Sequence, residues 1–165
     1  MSSELRVDKI IPTDGVPTGG GGSVIQVVQT DLPASFSTTS TSFVDVTDYN
    51  VTITPKFSTS KILVLVSCRC NQGSGSNVNA RTSVDLRRGS TQIMNQFVGH
   101  FIGNSGTNDN NNYASVNMSK LDSPATTSAT TYKVQIASDN SACTSSITGG
   151  TSPVRSTITA MEISA

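Results

Sequence analysis

The chain is 165 residues long and carries 11 basic and 11 acidic side chains, for a formal net charge of zero. With only 13% of residues charged, it has no clustered excess of Lys and Arg to neutralise phosphates, so nucleic acid is not an expected partner. No run approaches the roughly 20 apolar residues of a membrane-spanning helix. The opening Met-Ser-Ser-Glu-Leu-Arg lacks an apolar signal-peptide core, so neither membrane insertion nor secretion is expected. Without a secretory route, the sequons at Asn50 and Asn117 read as chance matches. The length suits one domain with its own core plus a short appendage.

Residues 1–22 read as that appendage. Glu4 to Ile11 is a short mixed segment with Leu5, Val7, Ile10 and Ile11 as its apolar side chains. Pro12, Gly15, Pro17 and Gly19 to Gly22 follow, and Pro and Gly at that density mark a linker. A segment of this kind suits docking, with those four side chains inserted into a partner, and strand addition to a sheet edge is the simplest geometry. The glycine run is not a phosphate-binding loop, because no Gly-Lys-Ser/Thr ending follows it.

From Ser23 onward the pattern is strand, turn, strand. Ser23 to Thr30 predicts a strand closed by Pro33. Ser35 to Ser42 predicts a Ser/Thr-rich loop around Phe36. Phe43 to Val46 and Tyr49 to Thr54 predict two short strands. Lys61 to Cys70 is the densest apolar run, and it contains neither Gly nor Pro. Side chains alternate along a strand, so Ile62, Val64, Val66 and Cys68 share one face, and Leu63, Leu65, Ser67 and Arg69 the other. A sandwich strand needs one apolar face. Here both faces of the first half are apolar, which predicts a second subunit or a covering segment over Leu63 and Leu65.

Asn71 to Asn77 reads as a loop. Asn79 to Arg88, a turn at Arg88-Gly89-Ser90, and Thr91 to Ile102 form the clearest hairpin. Gly103 to Asn112 is the longest polar loop. Its Asn104, Asn108, Asp109 and Asn110 are candidates for polar surface contact at a loop tip. Tyr113 to Leu121 and Thr130 to Ser138 predict strands, Asp139 to Ser152 a second polar loop holding Cys143, and Ser156 to Ser164 a terminal strand. About nine strands with no helical period predict an all-β jelly-roll-like sandwich over residues 23–165.

Catalytic chemistry is thin. The three cysteines, Cys68, Cys70 and Cys143, read as reduced, buried small hydrophobes. The single histidine, His100, has no nucleophile at recognisable spacing. One carboxylate, Asp109, is too few for a calcium loop. No metal and no cofactor are expected. A glycan-degrading enzyme needs two suitably placed carboxylates, whereas Asp45, Asp48, Asp85, Asp109, Asp122, Asp139 and Glu162 are scattered.

The residues also carry a resemblance. Ser3-Glu-Leu-Arg-Val-Asp-Lys-Ile-Ile-Pro-Thr-Asp-Gly15 resembles the N-terminal attachment segment of fibre and other virion proteins of tailed phages, notably phages of marine bacteria. Ser60-Lys-Ile-Leu-Val, Leu86-Arg-Arg-Gly-Ser-Thr91, Leu121-Asp-Ser-Pro-Ala-Thr-Thr-Ser-Ala-Thr-Thr-Tyr132 and Thr157-Ile-Thr-Ala-Met-Glu-Ile163 resemble phrases of the same group, and together they cover most of the chain. The resemblance implies a non-enzymatic virion structural protein with a trimeric jelly-roll head, similar in outline to C1q and tumour-necrosis-factor heads. It implies a fibre or fibre-like appendage, anchored to another virion protein by the N-terminal peptide, whose loops meet a host glycan or receptor. The alternative within the group is a capsid decoration protein that stabilises the head.

Overall fold

The computed structural model describes residues 22–74, 80–100, 110–150 and 155–164. They form ten strands: β1 (Val24–Asp31), β2 (Phe36–Thr38), β3 (Val44–Ile53), β4 (Lys61–Ser74), β5 (Ala80–Arg88), β6 (Thr91–His100), β7 (Asn110–Asp122), β8 (Thr130–Ser138), β9 (Cys143–Ile147) and β10 (Thr157–Ile163). The described pairings are all antiparallel.

Two sheets face each other. The smaller runs β3-β8-β5-β6. The larger is organised on β4, whose full length pairs with β7 along one edge. On the opposite edge β10 pairs with Lys61 to Ser67 and β9 with Cys70 to Ser74. β10 and β9 therefore lie end to end in one lane, and β1 and β2, their partners, lie end to end in the next. Six strands fill four lanes. Leaving out the short β2 and β9, the sheets are β1-β10-β4-β7 and β3-β8-β5-β6, with the chain passing between them as a jelly roll requires. The expected fold class, an all-β jelly-roll sandwich, is what the structure has.

The inward faces follow the predicted alternation. Ile62, Val64, Val66, Cys68 and Cys70 of β4 are buried, as are Val84 and Leu86 of β5, Tyr132, Val134 and Ile136 of β8, and Val116 and Met118 of β7. Tyr49 spans the core from the smaller sheet. Its hydroxyl lies 3.0 Å from the Ser67 carbonyl and 2.9 Å from that of Thr157, so one O–H bridges the middle of β4 and the start of β10. At the other end the interior is polar, where the Thr82 and Ser145 hydroxyls both donate to the Gln72 side-chain carbonyl.

Several sequence expectations need correction. Ser35 to Ser42 contains a strand, β2, where a loop was expected. Asp139 to Ser152 contains β9, whose Cys143, Ser145 and Ile147 alternate inward. The reason is shared: three and five residues with mostly small polar side chains carry no periodic signal, and pairing with each other and with β4 makes them strands. The two short strands expected over 43–54 are one strand with a register irregularity between Asp45 and Asn50, where Asp48 takes φ 60°. β4 runs on to Ser74, because β9 and β7 flank residues composition assigns to a loop.

Candidate functional site

The outer faces of the two sheets differ. That of the smaller sheet is mostly polar and internally paired, with Phe97, 64% exposed, as its large apolar residue. Lys133 Nζ and Gln135 Nε2 donate to the Asp45 carboxylate at 2.9 and 2.7 Å, and Arg87 Nε donates to Asp85 at 2.7 Å. Thr52 and Thr131 hydroxyls meet at 2.8 Å across β3 and β8. This is the ordinary solvent face of a two-layer sandwich.

The larger sheet is built otherwise. Register places Val27, Met161, Leu63 and Leu121 side by side across β1, β10, β4 and β7. All four point away from the core. Val27 is 55% and Leu121 47% exposed, and Leu63 and Met161 are half-buried by their neighbours. Beside this row lie Ile163 with the exposed Val24 on one side and Leu65 on the other. Seven apolar side chains thus form a continuous outward band. Each strand contributes only one or two of them, so the band exists only once the strands are in register.

Above the band the surface dips. A depression of about 340 Å³ is centred on Leu65 and Ser67 and bordered by Asn117, Ser119, Thr157 and Thr159, whose side chains are shorter than the Leu and Met of the adjoining row. Higher still, the Arg69 guanidinium lies 4.2 Å from the ring centroid of Tyr113, itself 52% exposed. An apolar centre flanked by Lys61, with Tyr113, Met161 and Arg69 around it, has the composition of a protein-binding surface.

Leu63 and Leu65 lie where the alternation placed them, on the outward face and next to each other in the band. Asn110 is corrected: it opens β7 opposite Ser74, so it is a strand residue and not part of a loop tip. Asn104, Asn108 and Asp109, and the leader residues Leu5, Val7, Ile10 and Ile11, lie outside the described residues. Val27, Met161 and Leu121 were missed from sequence. Each is one apolar residue in a polar alternation, and its significance comes from cross-strand neighbours.

Most acids of the described residues are engaged in structural contacts. Asp122 accepts from Arg88 and the Tyr132 hydroxyl, both at 2.8 Å, tying the end of β7 to the smaller sheet. Asp139 accepts from the Arg81 amide at 2.6 Å. Glu162 is fully buried, and its carboxylate accepts from the amides of Lys56 and Phe57 and from the Gln26 side-chain amide. Burial pushes this carboxyl up, but the hydrogen bonds outweigh burial and hold it below the ordinary glutamate range. Cys68 and Cys70 lie with sulfurs 3.8 Å apart in the core. Their mutual hydrogen bond and burial raise the Cys68 thiol far above its ordinary value.

No protein-family profile matches the chain, and no curated protein matches it. Among solved structures it is similar to the VP2 subviral particle of infectious bursal disease virus, at 16% identity and a TM-score of 0.39, over 94% of this chain and 42% of that chain. The Gt strain of the same virus gives 17% identity and a TM-score of 0.40, over 94% of this chain and 43% of that chain. The T13 particle gives 16% identity and 0.36, over 94% and 40%. The chain therefore spans under half the length of these structures.

Proposed function

We propose that this chain is a non-enzymatic structural protein of a virion that assembles with itself through the outer face of its larger sheet. The observation that carries the reading is the outward apolar band Val27-Met161-Leu63-Leu121 on a sheet whose other face already forms the core. A two-layer sandwich gains nothing from a second apolar face unless something covers it. A homotrimer places Leu63 and Leu65 near the threefold axis, where one contact repeats in each copy. The leader, through Leu5, Val7, Ile10 and Ile11, attaches this head to another virion protein, as its resemblance to phage attachment segments implies. In this reading the head belongs to a fibre-like appendage of a tailed phage, with the polar stretch around Asn108 meeting a host-surface glycan.

Light scattering on the full chain tests the assembly. A mass that is a multiple of three times 17.2 kDa, reduced by Leu65→Asp while the circular dichroism remains that of a folded β protein, is the expected result. A folded wild-type monomer refutes the proposed self-assembly. Deleting residues 1–18 tests the anchor: the product stays folded and oligomeric but no longer enters particles. Unchanged incorporation removes the anchor role.

A further inference from the structure

We propose that the outer edge of β7 pairs, antiparallel, with the same edge of a second copy about a twofold axis at Asn117. β7 is 13 residues long and pairs with β4 at every position with no register shift. Among the described residues no strand occupies its other edge. A long, regular, unpaired edge presents a row of free N–H and C=O groups and is a template for another strand. The other sheet edges are broken up. β1 has a register shift between Val24 and Gln26, and β3 one between Asp45 and Asn50. The β5–β6 ladder shifts between Leu86 and Arg87, and β2 has three residues. β7 has no such irregularity, no proline, and before its final Asp122 a single charge, Lys120.

The side chains point to a second copy of this strand as the occupant. Of the six exposed large hydrophobic residues among the described residues, two lie on β7, Tyr113 at 52% and Leu121 at 47%, and both are on its outward face. With the axis at Asn117, Tyr113 of each copy stands opposite Leu121 of the other. Ser115 then faces Ser119, and Asn117 faces Asn117. On the inward side Val116 faces Met118 and Ala114 faces Lys120, so no like charges oppose each other. Centring on Val116 puts Tyr113 opposite Ser119. Centring on Met118 puts Leu121 opposite Ser115. Only the Asn117 register covers both exposed hydrophobic residues at once, and cross-strand aromatic–aliphatic pairs of this kind stabilise a sheet. Arg69, stacked on the Tyr113 ring at 4.2 Å, already fixes that ring. The two larger sheets then join into one continuous sheet of eight lanes. This contact pairs strand edges, whereas the proposed trimer covers the sheet face; Leu121 and Asn117 border both, so the register-specific crosslinks tell the two apart.

Cysteine pairing in the full-length chain tests the register. Directly opposed β carbons in an antiparallel pair are about 4.5–5.5 Å apart, close to disulfide reach. Under copper–phenanthroline oxidation, Asn117→Cys is expected to give a covalent dimer on a non-reducing gel. Ser115→Cys alone and Ser119→Cys alone are expected not to, and an equal mixture of the two is expected to crosslink. Native Cys68, Cys70 and Cys143 are buried and do not compete. Asn117→Lys, which opposes two like charges at an exposed position, is expected to weaken the contact by about tenfold or more and to halve the mass seen by light scattering. Absence of the Asn117→Cys dimer, self-crosslinking of Ser115→Cys, or an unchanged mass for Asn117→Lys overturns the proposal. So does an Asn117→Cys dimer that forms only when residues 1–11 are removed, because the leader is then the occupant of the edge. Leu65→Asp, which acts on the face, is expected to leave the Asn117→Cys dimer intact.

Discussion

Replacing Glu162 with Gln isolates a buried charge that the fold uses to close one end of the sandwich. The Glu162 carboxylate accepts from the amide of Lys56 at 2.7 Å, from the amide of Phe57 at 3.3 Å and from Gln26 Nε2. It thereby links β10, the β3–β4 connection and the start of β1. Hydrogen bonds to a charged acceptor contribute about 1.5–3 kcal/mol, against about 1 kcal/mol for neutral pairs. In the variant the side-chain carbonyl keeps the two backbone amides as neutral bonds. Its new NH2 group faces Gln26 Nε2, donor against donor. Gln26 is not free to turn its amide over, because the same nitrogen donates to the Thr54 carbonyl at 2.7 Å. Weakening two bonds and losing the third amounts to about 2–4 kcal/mol, or roughly 4–16 °C in Tm for a domain of this size.

Glu162 also sets a pH dependence. Its folded pKa lies below the ordinary value of 4.5, so the carboxylate stabilises the fold fully above that value, and this contribution is lost as pH falls through the folded pKa. Urea denaturation at pH 7 and at steps down to pH 3 measures both effects. The stability gap between wild type and Glu162→Gln is expected to be widest at neutral pH and to narrow in acid. A variant within about 0.5 kcal/mol of wild type at pH 7, or a gap constant across the series, refutes the account.

Tyr49→Phe removes the hydroxyl that bridges the Ser67 and Thr157 carbonyls and is expected to lower stability by about 1–2 kcal/mol in a denaturant titration. Gly149→Ala introduces a β carbon 2.5 Å from the Ala34 carbonyl oxygen and 2.7 Å from Leu32 Cγ. Backbone has to shift, at a cost of about 1–3 kcal/mol, read as a lower urea midpoint. The three cysteines are buried, and burial raises the Cys143 thiol as the Cys70 contact and burial raise that of Cys68. A thiol reagent at pH 8 is expected to label none of them within minutes in the native protein and all three in urea. Prompt native labelling would falsify the placement of Cys68 and Cys70 in the core.

The long strands were legible because their inward residues alternate over five or more positions. Ile62 to Cys70, Thr82 to Leu86 and Tyr132 to Ile136 could be assigned to a buried face without coordinates. So could the Gly89 turn, where φ is 56°. The two-faced character of Lys61 to Cys70 was equally legible, since period-two alternation assigns Leu63 and Leu65 to the face opposite Val64 whatever the partner strands are. β2 and β9 were not legible. Strands this short acquire their identity from a distant partner, β9 from the lane it fills beside β4 and β2 from pairing with β9. Glu162 read as an ordinary polar position, and only the approach of the Lys56 and Phe57 amides makes a buried carboxylate stable there. The outward band followed the same rule. Alternation within each strand determines which way Val27, Met161, Leu63 and Leu121 point, but register between strands is what sets them side by side. Register is fixed by tertiary pairing, because a slip of one residue would turn every one of those side chains to the other face.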